Sequence, residues 1–224
     1  MLKSIGEGIF SGNKKMEKVK LSSQITEIPK NTFRNTPKLK KIVMKKGITT
    51  ISSNAFYGCG VEYVVIPKSV TDIKKKAFSH AKNLKEIKLS DKMKSIKDKT
   101  FEKCVNLKSI TFGKNIAVIG EEAFENCKSL SMINIQGSVY QISGASFWGC
   151  KNLKRVTISS GVSRIWRNAF CGCKKLKRVE LPNSLTLIHK TAFSECGYQL
   201  KLYCKKNSLA MAFATKNEFE YRII

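Results

Sequence analysis

The sequence predicts an α/β solenoid of about nine stacked 23-residue repeats, with a parallel sheet along one side and short helices or turns along the other. Three observations predict it. Nine of the 12 phenylalanines, Phe10, Phe33, Phe56, Phe78, Phe101, Phe124, Phe147, Phe170 and Phe193, recur every 23 residues, apart from one interval of 22 after Phe56. An isoleucine stands five residues before each, from Ile5 to Ile188. Aliphatic columns follow six, nine and eleven residues after the phenylalanine, as at Leu176, Val179 and Leu181. One such unit cannot bury its apolar face alone, so a fixed period of this size means stacked units sharing a core.

Within a unit, the run Leu-x-x-Ile-x-Leu alternates at its end and reads as a short strand. Equivalent strands pair in parallel ~4.8 Å apart, so nine rungs span roughly 40 Å. The stretch from the isoleucine to Cys173 and its equivalents carries a small residue before the phenylalanine, such as Ala55, Thr100 or Ser146. It reads as a short helix or turn on the opposite side.

The units follow in order. Residues 1–23 hold Met16 in the leucine column, and residues 24–46 hold Pro29 and Pro37 outside the strand core. Residues 47–68 are the short copy, where Val61, Val64 and Ile66 fill the aliphatic columns. Residues 69–91 carry Ala81 in the cysteine column, residues 92–160 are three regular copies, and residues 161–183 are another. From Gly197 the pattern changes. Ser208 to Lys216 reads as a helix with Ser208 as N-cap, and Phe219 to Ile224 alternates like a strand. The expected division is a repeat array over 1–200 and a C-terminal cap, helix plus strand, over 201–224. The array starts in mid-pattern, which reads as a piece of a longer chain.

These columns resemble the leucine-rich repeats of the BspA type, also called the Treponema pallidum type. The pattern appears as Ile165, Ala169-Phe170, Cys173, Leu176, Val179 and Leu181-Pro182-Asn183-Ser184-Leu185. It departs from the family at Asn13, Thr36 and Ala81, which replace the column cysteine, and in its lysine load. The resemblance implies an α/β leucine-rich repeat solenoid, right-handed and curved. It also implies a surface-exposed or secreted protein acting in adhesion to host matrix proteins, co-aggregation or protein binding. It implies no enzyme activity, no catalytic residue and no cofactor.

Lys plus Arg number 42 against 16 acidic residues, a net charge of +26. Such a field attracts polyanions. Seven residues past the phenylalanine stand Lys40, Lys85, Lys108, Lys154 and Lys177, and eight past stand Lys18, Lys41, Arg155 and Arg178. Positions eight and ten past alternate with buried ones and should face outward. The expectation is a basic stripe that includes Lys88 and Tyr63, either plain solvation or a docking surface for an acidic partner. No helix-turn-helix, zinc finger or RNA-binding aromatic motif is present. The reading is therefore a non-enzymatic binding or adhesion module for a protein partner, acidic or on a host surface. The alternative is a basic polyanion binder for nucleic acid or acidic glycan.

Other candidate chemistry is thin. Six of eight cysteines, Cys59, Cys104, Cys127, Cys150, Cys173 and Cys196, share one column and read as small buried residues, since a stacked row does not converge on a metal. His80 and His189 occupy different columns, so no triad is expected. Trp148 and Trp166 lie off the pattern and read as half-buried packing, or else as a contact spot. Glu121, Glu122 and Glu125 read as solvated surface. No run of 18 apolar residues exists, so no transmembrane helix is expected. The N-terminus lacks the apolar stretch of a signal peptide, being already in repeat register.

Overall fold

Each repeat forms one turn of a coil with two strands and a tight bend between them. The computed structural model describes residues 4–224, so the predicted start of the array at residue 1 lies outside the described residues. The chain runs β1 (Lys18–Lys20), β2 (Glu27–Ile28), β3 (Lys41–Val43), β4 (Thr50–Ile51), β5 (Tyr63–Val65), β6 (Asp72–Ile73), β7 (Glu86–Lys88), β8 (Ser95–Ile96) and β9 (Ser109–Thr111). It continues through β10 (Val118–Ile119), β11 (Met132–Ile135), β12 (Gln141–Ile142), β13 (Arg155–Ile158), β14 (Arg164–Ile165), β15 (Arg178–Glu180), β16 (Leu187–Ile188) and β17 (Lys201–Cys204). It closes with α1 (Leu209–Lys216) and β18 (Glu220–Ile223).

The odd-numbered strands line one side, hydrogen-bonded as β1-β3, β5-β7-β9 and β11-β13-β15-β17, with β18 added beside β17. Every pair is parallel and joins equivalent columns, as in Val156 opposite Val179 and Val179 opposite Leu202. The sheet thus crosses residue 200 without a break. The even-numbered strands form a second parallel ladder, β2-β4-β6 and β8-β10-β12-β14-β16, built on the isoleucine column. This second ladder escapes sequence reading because two-residue strands are too short to show alternation.

The isoleucine-to-cysteine stretch is turn throughout, and the described residues contain one α-helix, α1. The physical reason lies two residues either side of the phenylalanines, at every position but Thr191. Asn31, Asn54, Lys76, Lys99, Glu122, Ala145 and Asn168 on one side are left-handed, as are Asn35, His80, Lys103, Asn126 and Glu195 on the other. A left-handed L-residue cannot propagate a right-handed helix. The backbone is satisfied in a different way. Ala55, Tyr57 and Cys59 donate N–H bonds within their own turn, to Ser52, Asn54 and Phe56. Asn31, Phe33 and Asn35 donate instead to the next turn, at Ser53, Ala55 and Tyr57. Even the bend is therefore laddered from turn to turn.

The core is a column of aromatic rings. From Phe10 to Phe193, consecutive rings stack with centroids 4.9–5.6 Å apart and planes within 16°. The spacing follows the strand repeat, one ring per turn. Phe33 through Phe193 are fully buried. Each contributes about 1.5–3 kcal/mol by burial and roughly another 0.5–1.5 kcal/mol per ring pair. At the C-terminal end Phe213 and Phe219 meet Phe193 edge to face, at 6.1 and 6.2 Å, and cover the column. Helix α1 is capped by Ser208, whose hydroxyl accepts the Met211 N–H at 3.1 Å.

The left-handed columns generate a prediction. Ala145, at φ 51°, gains nothing from its methyl group to offset the cost of that conformation, about 1–2 kcal/mol. Ala145→Gly removes that cost, less the extra entropy of an unfolded glycine. It should stabilise the protein by about 0.5–1 kcal/mol, read as a midpoint about 1–3 °C higher by circular dichroism.

Candidate functional site: the outer strand face

Along each long strand, the residues nine and eleven past the phenylalanine point into the core, and those eight and ten past point out. The outward columns stay in register from turn to turn. One reads Lys18, Lys41, Tyr63, Glu86, Ser109, Met132, Arg155, Arg178 and Lys201, and the other Lys20, Val43, Val65, Lys88, Thr111, Asn134, Thr157, Glu180 and Tyr203.

All ten predicted site residues lie on this face or its rim. Lys41, Tyr63, Lys88, Arg155 and Arg178 occupy the outward columns, while Lys40, Lys85, Lys108, Lys154 and Lys177 precede the strands and edge them. The cations do not run unbroken along this face. Glu86 and Glu180 enter the columns, and the middle rungs are neutral at Ser109, Thr111, Met132, Asn134 and Thr157. Several of the cations are also tied down. Lys85 Nζ lies 2.6 Å from Glu62 and 5.4 Å from the centre of the Tyr63 ring. Arg178 donates to Glu180 at 2.8 Å and lies 3.7 Å above the Tyr203 ring. These bonds hold the Glu62 carboxyl below its ordinary pKa and the Arg178 guanidinium above its own.

What sequence reading missed is the apolar content of this surface. Tyr63 is 57% exposed, Val65 82% and Met132 63%. Val65 lies between Val64 and Ile66, the two residues that fill the aliphatic columns of the short copy, so the period-2 rule turns it outward, and only its apolar character conceals it as a surface residue. Open hollows lie beside these residues, of about 220 Å³ along Tyr63, Val65, Glu86 and Lys88 and about 580 Å³ around Met132, Asn134 and Arg155.

The remaining candidates resolve as structure. The column cysteines are free, and except for Cys59, whose sulfur accepts from the Thr36 hydroxyl, their thiols donate to the phenylalanine carbonyl of the preceding turn, as from Cys104 to Phe78, Cys127 to Phe101 and Cys150 to Phe124, at 3.1–3.2 Å. Thr36 replaces that thiol with a hydroxyl bonded to the Phe33 carbonyl at 2.8 Å. Burial pushes the thiols of Cys150 and Cys196 up to about 12. Among the described residues, no cluster of three or more His, Cys, Asp or Glu side chains suits a metal ion.

His80 does sit in a constellation with a serine and a carboxylate. The Ser79 hydroxyl is 2.9 Å from His80 Nδ1 and donates to Glu102 Oε2 at 3.0 Å. The carboxylate touches the serine, and not the histidine as a nucleophilic triad requires. Ser79 is also fully buried, so no substrate reaches its oxygen. His189 bonds Thr191 and is separate. Trp148 and Trp166 are 39% and 37% exposed. Trp166 edges a groove of about 490 Å³ together with Glu121 and Arg167, which pair at 2.9 Å. The acidic group is only in part solvated surface. Glu122 pairs with Lys99 at 3.1 Å, while burial and the neighbouring Glu122 carboxyl raise Glu125 to about 7.

The profile of the family described as "BspA type Leucine rich repeat region (6 copies)" matches residues 1–85 and 71–200. No curated protein matches the sequence. Among solved structures, a leucine-rich repeat protein of Treponema pallidum superposes with a TM-score of 0.64 at 24% identity, over 93% of this chain and 86% of that one. A leucine-rich cell surface protein of Faecalibacterium prausnitzii superposes with a TM-score of 0.58 at 24% identity, over 92% of this chain. The chain spans 64% of that protein's length. A leucine-rich repeat protein of Eubacterium ventriosum gives a TM-score of 0.54 at 24% identity, over 89% of this chain and 69% of that one. At such identities the likeness concerns the fold.

Two outcomes are expected from these geometries. A colorimetric thiol reagent at pH about 8 should find the column cysteines inert in the native protein and all eight thiols reactive in denaturant. Rapid native reaction of several thiols would contradict the buried ladder. Glu125 supplies the second. Its folded pKa is raised above the unfolded value, so the stability from its bound proton is present in acid and lost as the pH rises through about 7. Glu125→Gln should therefore melt higher than the parent at pH about 8, with the difference gone near pH ~4.5.

Proposed function

The chain belongs to the BspA type leucine-rich repeat family, and on that premise we propose that it is a non-enzymatic protein-binding module that works in adhesion at a cell surface. The single observation that carries the reading is the exposed apolar pair on the third rung of the outer strand face. Tyr63 and Val65 stand outward and exposed beside Lys41, Lys85 and Lys88. Soluble surfaces rarely group large apolar side chains without use, and interface hot spots favour aromatic anchors within a polar rim. A β-sheet holds these anchors rigidly, which lowers the ordering cost of binding. The lysine rim, with flexible point charges, suits an acidic protein partner more than fixed recognition of one anion.

The family resemblance and the likeness to a leucine-rich cell surface protein support the surface role. Among the described residues no helix is long and apolar enough to cross a membrane. The ladder residues serve packing alone, so binding chemistry belongs to the outward columns.

The +26 charge favours a second reading, sequence-blind binding of nucleic acid or acidic glycan. Surface plasmon resonance against a panel of host matrix glycoproteins, heparin and duplex DNA, at about 50 and 300 mM salt, separates the two. The expected result is saturable binding to a matrix glycoprotein that survives the higher salt. Tyr63→Ser with Val65→Ser should weaken it at least about tenfold. Binding to heparin and DNA alone, with affinity collapsing steeply as salt rises, would replace the protein-binding reading with the polyanion one.

A further inference from the structure

The outer edge of the C-terminal strand carries a self-complementary pattern. Strand β18 pairs with β17 in parallel, with Leu202 opposite Tyr221 and Cys204 opposite Ile223. Leu202 and Cys204 are buried core residues, so Phe219, Tyr221 and Ile223 share the core face of β18. Glu220 and Arg222 share the outer face, beside Lys201 and Tyr203.

No described residue pairs with the far side of β18. The Ile224 N–H donates to Cys204 at 3.0 Å, which sets the phase of the ladder. Alternate residues of a parallel strand bond to alternate sides, so Glu220 and Arg222 bond toward β17. The N–H and C=O of Tyr221 and Ile223 therefore point along the open edge. Their side chains remain 37% and 50% exposed, although they occupy core-facing positions. An open edge with apolar side chains is a template for a further strand.

We propose that two copies of this chain associate through β18, as an antiparallel pair centred on Tyr221. Antiparallel partners share a face, so register decides which charges meet. Centring on Glu220 or Arg222 sets like charges opposite each other, which is unfavourable. Centring on Tyr221 places Glu220 of each copy opposite Arg222 of the other. It places Ile223 opposite Phe219, and it joins the two tyrosines through both free backbone groups. This is the isologous contact of a twofold dimer, in which one patch serves both sides. Parallel addition of β1 from another copy sets Glu220 opposite Lys18 but Arg222 opposite Lys20, so its charge pairing cancels, and it would build an open filament.

The test is sedimentation velocity over about 1 to 200 µM at ~0.3 M salt, which screens the repulsion between two +26 copies. The wild-type chain should pass from monomer to dimer across that range. Arg222→Glu sets like charges across both symmetric pairs and should raise the dissociation constant at least about tenfold. Glu220→Arg combined with Arg222→Glu makes the pairs complementary again and should restore the dimer. Both side chains are exposed, and a thermal melt of each variant confirms folding. A wild-type chain that stays monomeric, a single variant that dimerises unchanged, or a double variant that stays monomeric each overturns the proposal.

Discussion

The contact on which this solenoid depends is the phenylalanine carbonyl together with its ring. The ring stacks on its neighbours and the carbonyl accepts two hydrogen bonds. One comes from the backbone three residues on, as from Cys127 to Phe124, and one from the thiol of the next turn, as from Cys150 to Phe124. A thiol fits because it is small, tolerates full burial and still carries a weak donor. Thr36 shows the alternative, a hydroxyl turned to the carbonyl of its own turn. Ala81 shows that the thiol is dispensable at a single turn, since Phe56 keeps the backbone bond from Cys59. The buried row of cysteines is thus a solution to backbone satisfaction in a dry core, and its chemistry is deliberately quiet.

Because the ladder absorbs every strongly periodic residue, the outer columns are free to differ from turn to turn. The result is a patterned surface. Cations dominate the first rungs at Lys18, Lys20 and Lys41, an exposed tyrosine and valine follow, then neutral polar rungs, then Arg155 and Arg178, the latter held by Glu180 and Tyr203. The net charge of the chain overstates how basic the strand face is, because several of its acids are spent on that face. Glu62, Glu86 and Glu180 all lie among the lysines and arginines that composition alone would leave unopposed.

The candidate site was partly legible. Column position correctly placed Lys41, Lys88 and Arg155 on the outer face, because a strand's period of two is local geometry. The same geometry turns Val65 outward between Val64 and Ile66, but an apolar side chain gives no sign in the sequence that it stands exposed. The pairing of Lys85 with Glu62 and of Arg178 with Tyr203 joins residues about one turn of coil apart, a distance sequence spacing suggests but side-chain direction decides. The Ser79, His80 and Glu102 group was invisible for the same reason, since two of its members lie one turn from the third.

By itself the sequence determined the repeat, the stacking, the parallel strands and the burial of the phenylalanine, isoleucine and cysteine columns. Those follow from the period and from the need of each unit to share its apolar face. Tertiary structure decided that the bend is a hydrogen-bonded turn even where the columns carry no left-handed signal: Gly12, Asn35, Gly58, Asn126, Gly149 and Gly172 suit that conformation, whereas Lys76, Lys99, Glu122 and Ala145 adopt it only because the stacked turns hold them there. It alone decided which lysines are free and which are paired. It alone decided that Tyr221 and Ile223 lie at an edge that no described residue pairs, since strand neighbours are set by what distant segments bring together.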